Sequence, residues 1–315
     1  MNIIFFGSSE FAIPSLKALL GSSHRVLALV TQPDRKKGRN LRVSPPPTKV
    51  LASSRGIPVY QPEDVSCRES VQYLKGFKAD LFVVISFGQI LKKAVLAVPR
   101  LYSINLHGSI LPKYRGAAPI NWAVIKGDSA TGATVIRMNE IMDAGDIILN
   151  RDIEIAEDDT SLTMSEKISD LGAELILESL AAIEGNTAGF AKQDERGVTY
   201  APKLKKEDGL IDWRAGAASI HDRVRGLIPW PGAYTRYKGR TLKIFGTLPP
   251  GKCAVSFGDD TSPGEVVDTI KNKGILVKTG CGHLIITHLQ LEGRKILDAD
   301  AFLRGHRIEK GTVFS

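Results

Sequence analysis

Residues 2–31, NIIFFGSSEFAIPSLKALLGSSHRVLALVT, set two short apolar runs on either side of a stretch with helical periodicity. NIIFFG (2–7) and RVLALVT (25–31) have the aliphatic and aromatic content of buried strands. Between them, FAIPSLKALLG (11–21) repeats its apolar positions at helical spacing. A strand, a helix and a second strand in this order form a crossover unit, which lays the strands parallel and covers the sheet with the helix. The pattern repeats outward. IPVYQ (57–61), ADLFVVIS (79–86) and YSINLHG (102–108) read as further strands, and RESVQYLKGF (68–77) as a helix. The expected fold class is α/β, a Rossmann-like, mostly parallel sheet.

After residue 129 the style changes. ATGATVIRM (130–138) and GDIILNRDIEI (145–155) read as consecutive strands, and TSLTMSEKISDLGAELILESLAAIEG (160–185) as one long helix, capped by Thr160 or Ser161 and ended near Gly185. AKQDERGVTYAPKLKKEDG (191–209) is polar and non-periodic, as a linker would be. Beyond it lie one helical pattern, AASIHDRVRGL (217–227), and many brief alternating runs: YTRYKGRTLKIFG, PGEVVDT, GILVKTG and HLIITHLQL. They predict a small β-barrel of the oligonucleotide-binding type. The expected organisation is a domain over 1–190, a linker over 191–208 and a C-terminal barrel over 209–315.

Composition narrows the class. A chain of 315 residues, 43% hydrophobic, has ample material for one large or two ordinary cores. No run approaches the ~20 apolar residues of a membrane span. MNIIFFGSSEF lacks a basic segment before its apolar run, so no signal peptide is expected. Cys67, Cys253 and Cys281 are widely spaced with no CxxC, which fits reduced thiols in the cytoplasm and argues against a disulfide framework or a metal site. The net charge of +8 is uneven: residues 204–315 carry 18 Lys+Arg against 12 Asp+Glu, and residues 1–203 carry 24 against 22. That basic excess suits either a solvated face or the footprint of a polyanion.

Three motifs bear on chemistry. The turn after the first strand has only Gly7 where a dinucleotide fingerprint needs several glycines, so a nicotinamide cofactor is not expected. TQPDRKKGRNLRVSPPPTK (31–49) sets Arg35, Lys36, Lys37, Arg39, Arg42 and Lys49 against Asp34 alone. A loop this long is either functional or a disordered insertion. Pro45, Pro46 and Pro47 should stiffen its exit and aim it outward. Asn105 and His107 lie two apart at a strand end, on the same side, where open α/β sheets bind ligands. His107 alone reads equally as a structural residue. In NEIMDAGDI (139–147), however, Asp143 sits in a loop between strands and can orient an imidazole. An amide, a histidine and an aspartate with no Ser or Cys nucleophile suit a reaction whose attacking group belongs to the substrate. The protein would supply an oxyanion site and manage a proton.

NLHGSILPKYRGAAPINWAV (105–124) followed by MDAGDI (142–147) resembles the signature of the 10-formyltetrahydrofolate-dependent formyltransferases. FFGSSEFAIPSL, TQPDR with GR, SFGQIL, IPWPGAYT, LEGRK and ADAFLRG extend the resemblance to the family's tRNA-acting branch over essentially the whole chain. The resemblance implies catalytic roles for Asn105, His107 and Asp143. It implies a folate pocket lined by Phe87, Gly88, Gln89 and Ile90, by Ser109, Leu111 and Pro112, and by Glu140, Ile141 and Met142. It also implies a tRNA-contacting loop with Arg35, Lys36, Lys37, Arg39 and Arg42. The implied substrates are 10-formyltetrahydrofolate and initiator methionyl-tRNA, with no metal. The chain departs from the family in PPTK, where Ser-Pro-Val-Lys is usual, and at Ile228, where Asn is common. Two rivals remain: a formyltransferase acting on a nucleotide sugar, and a non-catalytic RNA-binding protein. No self-complementary apolar face is evident, and a monomer is expected.

Overall fold

A computed structural model describes residues 1–37, 42–249 and 261–315, which divide into two compact units. The first comprises Met1–Pro119, Thr131–Glu154 and Ser165–Ala201; the second comprises Ile120–Ala130, Ile155–Met164 and Pro202–Ser315. Neither is continuous in sequence. Arg39 and Cys253 lie outside the described residues.

The first unit is built on a seven-stranded sheet, in the order Asp146–Glu154, Ala130–Arg137, Tyr102–His107, Leu81–Ile85, Asn2–Gly7, Arg25–Val30, Val59–Tyr60. The five strands from Tyr102–His107 to Val59–Tyr60 are parallel, and Ala130–Arg137 runs antiparallel to Tyr102–His107. The sheet is therefore Rossmann-like, as the opening residues predict. From Asn2–Gly7 the chain adds strands on one side, then returns to add Leu81–Ile85 on the other. The loops after these two strands thus open at the point where the strand order reverses, the usual ligand crevice of such sheets.

Packing follows from the two-residue period of the strands. Ile4 and Phe6 share a face with Phe82 and Val84, and this layer closes over Val30, Leu74, Phe87, Leu91 and Val95. The Phe6 ring lies 4.9 Å from Phe82 and meets Phe87 edge-on at 5.4 Å. Phe87 therefore ties the loop after Leu81–Ile85 to the core. Leu74 comes from helix Arg68–Gly76 and Val95 from helix Lys93–Leu96. The long helix spans Ser161–Glu184 and starts as its sequence predicts: the Thr160 hydroxyl accepts from the Thr163 N–H at 3.2 Å, so Thr160 is the cap.

Three features differ from the reading of the sequence. Helices Lys93–Leu96 and Pro119–Ile125 are too short to show periodicity. The basic segment is a hairpin, Arg35–Lys37 pairing antiparallel with Arg42–Ser44. Nor do its prolines point it outward, because Pro47 opens helix Pro47–Ser54. Within that first turn Thr48 is fully buried and donates to the Gly7 carbonyl at 2.8 Å. Proline at a helix start sacrifices no hydrogen bond and pre-sets the backbone angle, so the run serves as a helix entry.

The second unit holds an antiparallel sheet in the order Ala233–Tyr237, Arg240–Thr247, His283–Leu291, Gly274–Lys278, Val266–Ile270, with Leu297–Asp298 also paired to His283–Leu291. Leu242, Ile244, Ile275, Val277, Ile286 and Leu289 are buried in it. Helix Ala217–Gly226 belongs to this unit together with the two segments inserted from earlier in the chain. Asn121 donates to the Gly226 carbonyl at 2.8 Å and to Ser161 Oγ at 3.0 Å, and Arg225 donates to the Ala156 carbonyl at 3.1 Å. Among the described residues no helix is long and apolar enough to cross a membrane.

Candidate active site

His107 is the last residue of its strand, with Thr134 opposite it and Ile136 opposite Asn105. Only 5% of His107 is exposed, so each ring nitrogen must find a partner inside the protein. Nε2 lies 2.9 Å from the Tyr114 carbonyl oxygen. A carbonyl only accepts, so this geometry assigns the hydrogen of the bond to Nε2. Nδ1 is thereby left as the ring nitrogen turned away from that carbonyl. It faces Asp143 Oδ1 at 3.6 Å, an electrostatic contact slightly too long for a hydrogen bond.

Asp143 is held from several sides. Its Oδ2 accepts from the Gly116 N–H at 2.8 Å, and its carbonyl accepts from Gln193 Nε2 at 2.7 Å. Its backbone is left-handed, with φ 53°, a conformation that costs a residue with a side chain about 1–3 kcal/mol. Gly145, two residues on, has no room for a side chain, since a Cβ there would lie 1.9 Å from the Arg137 carbonyl oxygen.

The turn that carries Tyr114, Arg115 and Gly116 is equally determined. Ser109 is fully buried; its hydroxyl donates to the Lys113 carbonyl at 2.6 Å, and its carbonyl accepts from Thr134 at 2.7 Å. Tyr114 N–H donates to Thr199 Oγ1 at 2.8 Å and Arg115 N–H to the Thr199 carbonyl at 2.9 Å. Gly116 has φ 127°, and a Cβ on it would meet the Ala201 carbonyl oxygen at 2.6 Å. Arg115–Gly116 and Tyr200–Ala201 pair as two short parallel strands. Segment 191–201, read from the sequence as the start of a linker, is thus bonded along its length to the site.

Asn105 differs from its neighbours. It is half-buried, and among the described residues no group bonds its side-chain amide. A carboxamide so placed, beside a pinned histidine, is free to donate to a ligand oxygen.

The other residues named from the sequence fall into two groups. In the loop after Leu81–Ile85, Gln89 accepts from the Val65 N–H at 2.8 Å and donates to the Pro62 carbonyl at 3.1 Å, while the Phe87 carbonyl accepts from Ser8 Oγ and Gln32. Gln89, Phe87, Ser109 and the buried Leu111 therefore hold the loops in shape. Pro112, joined to Leu111 by a cis peptide, receives Thr199 N–H on its carbonyl. Gly88 takes φ 87°, where glycine is at ease. Ile90, Ile141 and Met142, by contrast, expose most of their apolar surface, at 67%, 69% and 58%. Glu140 is exposed beside them and lies 4.0 Å from Lys93. Exposed aliphatic side chains on rigid loops are what an apolar or aromatic ligand would cover.

On the basic hairpin, Arg35 is exposed, and the side chains of Lys36, Lys37 and Arg42 are not among those described. Its base is pinned. Asp34 accepts from Lys49 at 2.8 Å and from Gln61 at 2.7 Å, and first the Gln61 bond, then Lys49, keep its carboxyl below the ordinary value. Lys49, counted with the basic group from sequence, is thereby neutralised. Reading the sequence also missed Tyr114, Arg115, Gly116, Gln193 and Thr199. The first three lie inside the quoted LPKYRG, but nothing in composition reveals that Gln193 and Thr199 return to it.

Residues 1–180 match the formyl transferase family and residues 203–307 match the formyl transferase C-terminal domain. The chain belongs to the formyl transferase family. Its relatives within that family include the methionyl-tRNA formyltransferase of Geobacter metallireducens, 45% identical over 99% of this chain and 97% of its own length. The methionyl-tRNA formyltransferase of Agathobacter rectalis is 41% identical over the full length of both. Among solved structures, the N-formyltransferase from Helicobacter canadensis, in complex with folinic acid and dTDP-3-aminofucose, superposes with a TM-score of 0.63. It is 18% identical over 90% of this chain and 97% of that one, a likeness of fold.

Proposed function

We propose that this chain transfers a formyl group from 10-formyltetrahydrofolate to the α-amino group of methionine on initiator tRNA, the activity for which its full-length relatives are named. The observation that carries the mechanism is the assembly of His107 and Asp143 beside the unbonded amide of Asn105 at one strand end. The amine nitrogen attacks the formyl carbon, and the carbonyl electron pair moves onto oxygen. Asn105 donates to that oxygen, an interaction of a kind worth ~10²–10³ in rate. His107, with Nε2 committed to Tyr114, acts through Nδ1. The amine gives up a proton, the carbon–nitrogen bond to the folate breaks, and a proton is delivered to the departing nitrogen. Asp143 stands opposite Nδ1 throughout and keeps the ring turned.

The residues present fit a folate. Ile90, Ile141 and Met142 offer apolar cover for a flat ring, and the loops bearing them are held by Gln89 and Asn139. Phe87, Gly88, Leu111, Pro112 and Glu140 complete the pocket in this reading. Residues 1–190 carry the chemistry. Residues 209–315 form an oligonucleotide-binding-type barrel that, with Arg35, Lys36, Lys37, Arg39 and Arg42, contacts tRNA, and the enzyme works as a cytoplasmic monomer. The deciding experiment incubates the protein with 10-formyltetrahydrofolate and charged initiator tRNA, with a nucleotide-sugar amine in parallel. Formylmethionyl-tRNA is the expected product. Transfer to the sugar amine alone would overturn the assignment.

A further inference from the structure

Residues 114, 115 and 116 each bond a different member of the site. The Tyr114 carbonyl accepts from His107 Nε2 at 2.9 Å, and the Gly116 N–H donates to Asp143 Oδ2 at 2.8 Å. Between them, the buried Arg115 guanidinium donates to Gln193 Oε1 from Nε at 3.0 Å and from Nη2 at 2.8 Å. Gln193 then spends both amide hydrogens on the loop that carries the carboxylate, one on the Asp143 carbonyl at 2.7 Å and one on the Gly145 carbonyl at 2.8 Å. The circuit His107–Tyr114–Arg115–Gln193–Asp143–His107 is closed. The amide of Gln193 fits it in one orientation only. Flipped, its oxygen would face two carbonyls and its NH₂ a guanidinium, and none of the four bonds would survive.

From this geometry we infer that Gln193 is a positioning residue of the formyl-transfer reaction: with Arg115 it bridges the carbonyls flanking Ala144 and sets the Asp143 carboxylate against Nδ1 of His107. The inference rests on the function proposed above. Asp143 needs such support, because its left-handed backbone does not hold itself and the loop outside it is solvent-exposed through Ile141 and Met142. Glu195, bonded to Arg115 Nη2 at 2.9 Å, balances the guanidinium charge. Segment 191–201 thus bonds both partners of the pair, Asp143 through Gln193 and His107 through Thr199 and Tyr114.

The test uses the full chain with Gln193→Ala and Gln193→Glu. The second keeps volume and the arginine interaction but loses both N–H donors. Each should lower kcat about 10- to 100-fold, as loss of an outer partner of a reactive group does, with either KM changed by less than ~3-fold. In an Asp143→Asn background the same changes should cost less than ~3-fold more, because Gln193 acts through that carboxylate. Multiplying losses in the double variants would overturn the inference, as would wild-type kcat in the folded single ones. Hydrogen exchange at the Gly116 amide needs no substrate and separates this inference from the functional one. It should quicken at least ~10-fold in both variants as the carboxylate drifts away. Unchanged exchange would refute the positioning role even if formyl transfer were established, and faster exchange would support it even if the substrate were another amine.

Discussion

The strand end at Asn105 and His107 and the hairpin at Arg35–Ser44 both extend from the same parallel sheet, yet they are built on opposite terms. At the strand end, His107, Ser109 and Arg115 are buried and their polar atoms are matched to partners inside the protein. Asn105 alone of this group keeps its amide unbonded among the described residues. On the hairpin, the neutralised pair Asp34–Lys49 sits at the base and Arg35, next to it, is exposed. On the proposed function, the contrast follows from what each would do. A group that stabilises developing charge must already be oriented, since reorienting it during the reaction forfeits the gain. Charges that meet a polyanion act over a Debye length and release counterions, which requires exposure and little geometry.

The largest expected effect breaks the first term of that contrast. Asn105→Ala and His107→Ala should each lower kcat by ~10²–10³ while leaving the unfolding transition cooperative, and Asp143→Asn should do likewise with its shape retained. Steady-state kinetics at saturating substrates check this; near-normal turnover in any two of them would remove the strand end from the chemistry. Gly116→Ala comes next. Its methyl would enter a left-handed position against the Ala201 carbonyl oxygen, so a loss of roughly 1–3 kcal/mol in stability is expected, with a fall in kcat as the bond to Asp143 shifts. Denaturant melts alongside kinetics measure both.

Substitutions on the hairpin should be milder and of a different kind. Arg35→Ala and Arg39→Ala should raise KM for tRNA severalfold, leave KM for the folate unchanged, and flatten the salt dependence by ~0.7–0.9 for each phosphate the variant no longer neutralises. A change in kcat alone would mean that the hairpin is no separate device. The smallest effect concerns the second unit. Burial lowers the pKa of His221, whose Nδ1 lies 2.7 Å from Thr247 Oγ1 and whose Nε2 donates to the Glu157 carbonyl; Arg225 adds to the lowering, while Asp222 and Glu157 oppose it. Because the folded state prefers the neutral ring, this contribution is full above the unfolded value near ~6.5 and is lost as pH falls through the lower folded one. Thermal melts should show a modest decline in that window, reduced in His221→Gln. An equal decline in both proteins would place its origin elsewhere.

Much of the first sheet was legible because periodicity is a local property. IIFFG (3–7) and LFVVI (81–85) are apolar throughout since both faces of a central parallel strand are covered, and Thr160 announces its helix by chemistry within one turn. Asn105, His107 and Asp143 could be singled out as candidates too, because a reactive set requires particular residue types and strand ends show as breaks in apolar runs; the structure brings His107 and Asp143 within 3.6 Å of each other. The hairpin was not, since RKK and RVS carry no alternation, and the proline run hid a helix whose buried anchor is the polar Thr48.

By itself, the sequence determined which residue types are present, where local periodicity permits strands and helices, and which side chains have the chemistry to act. Only the tertiary structure decided which nitrogen of His107 faces Asp143, because that depends on a carbonyl seven residues away being turned toward Nε2. It likewise decided that Gln193, fifty residues beyond Asp143, holds the Asp143 loop, and that Ile120–Ala130 and Ile155–Met164 join the later unit. The physical reason is the same in each case. A hydrogen bond is set by positions and directions in space, and residues far apart in the chain leave no periodic trace of meeting.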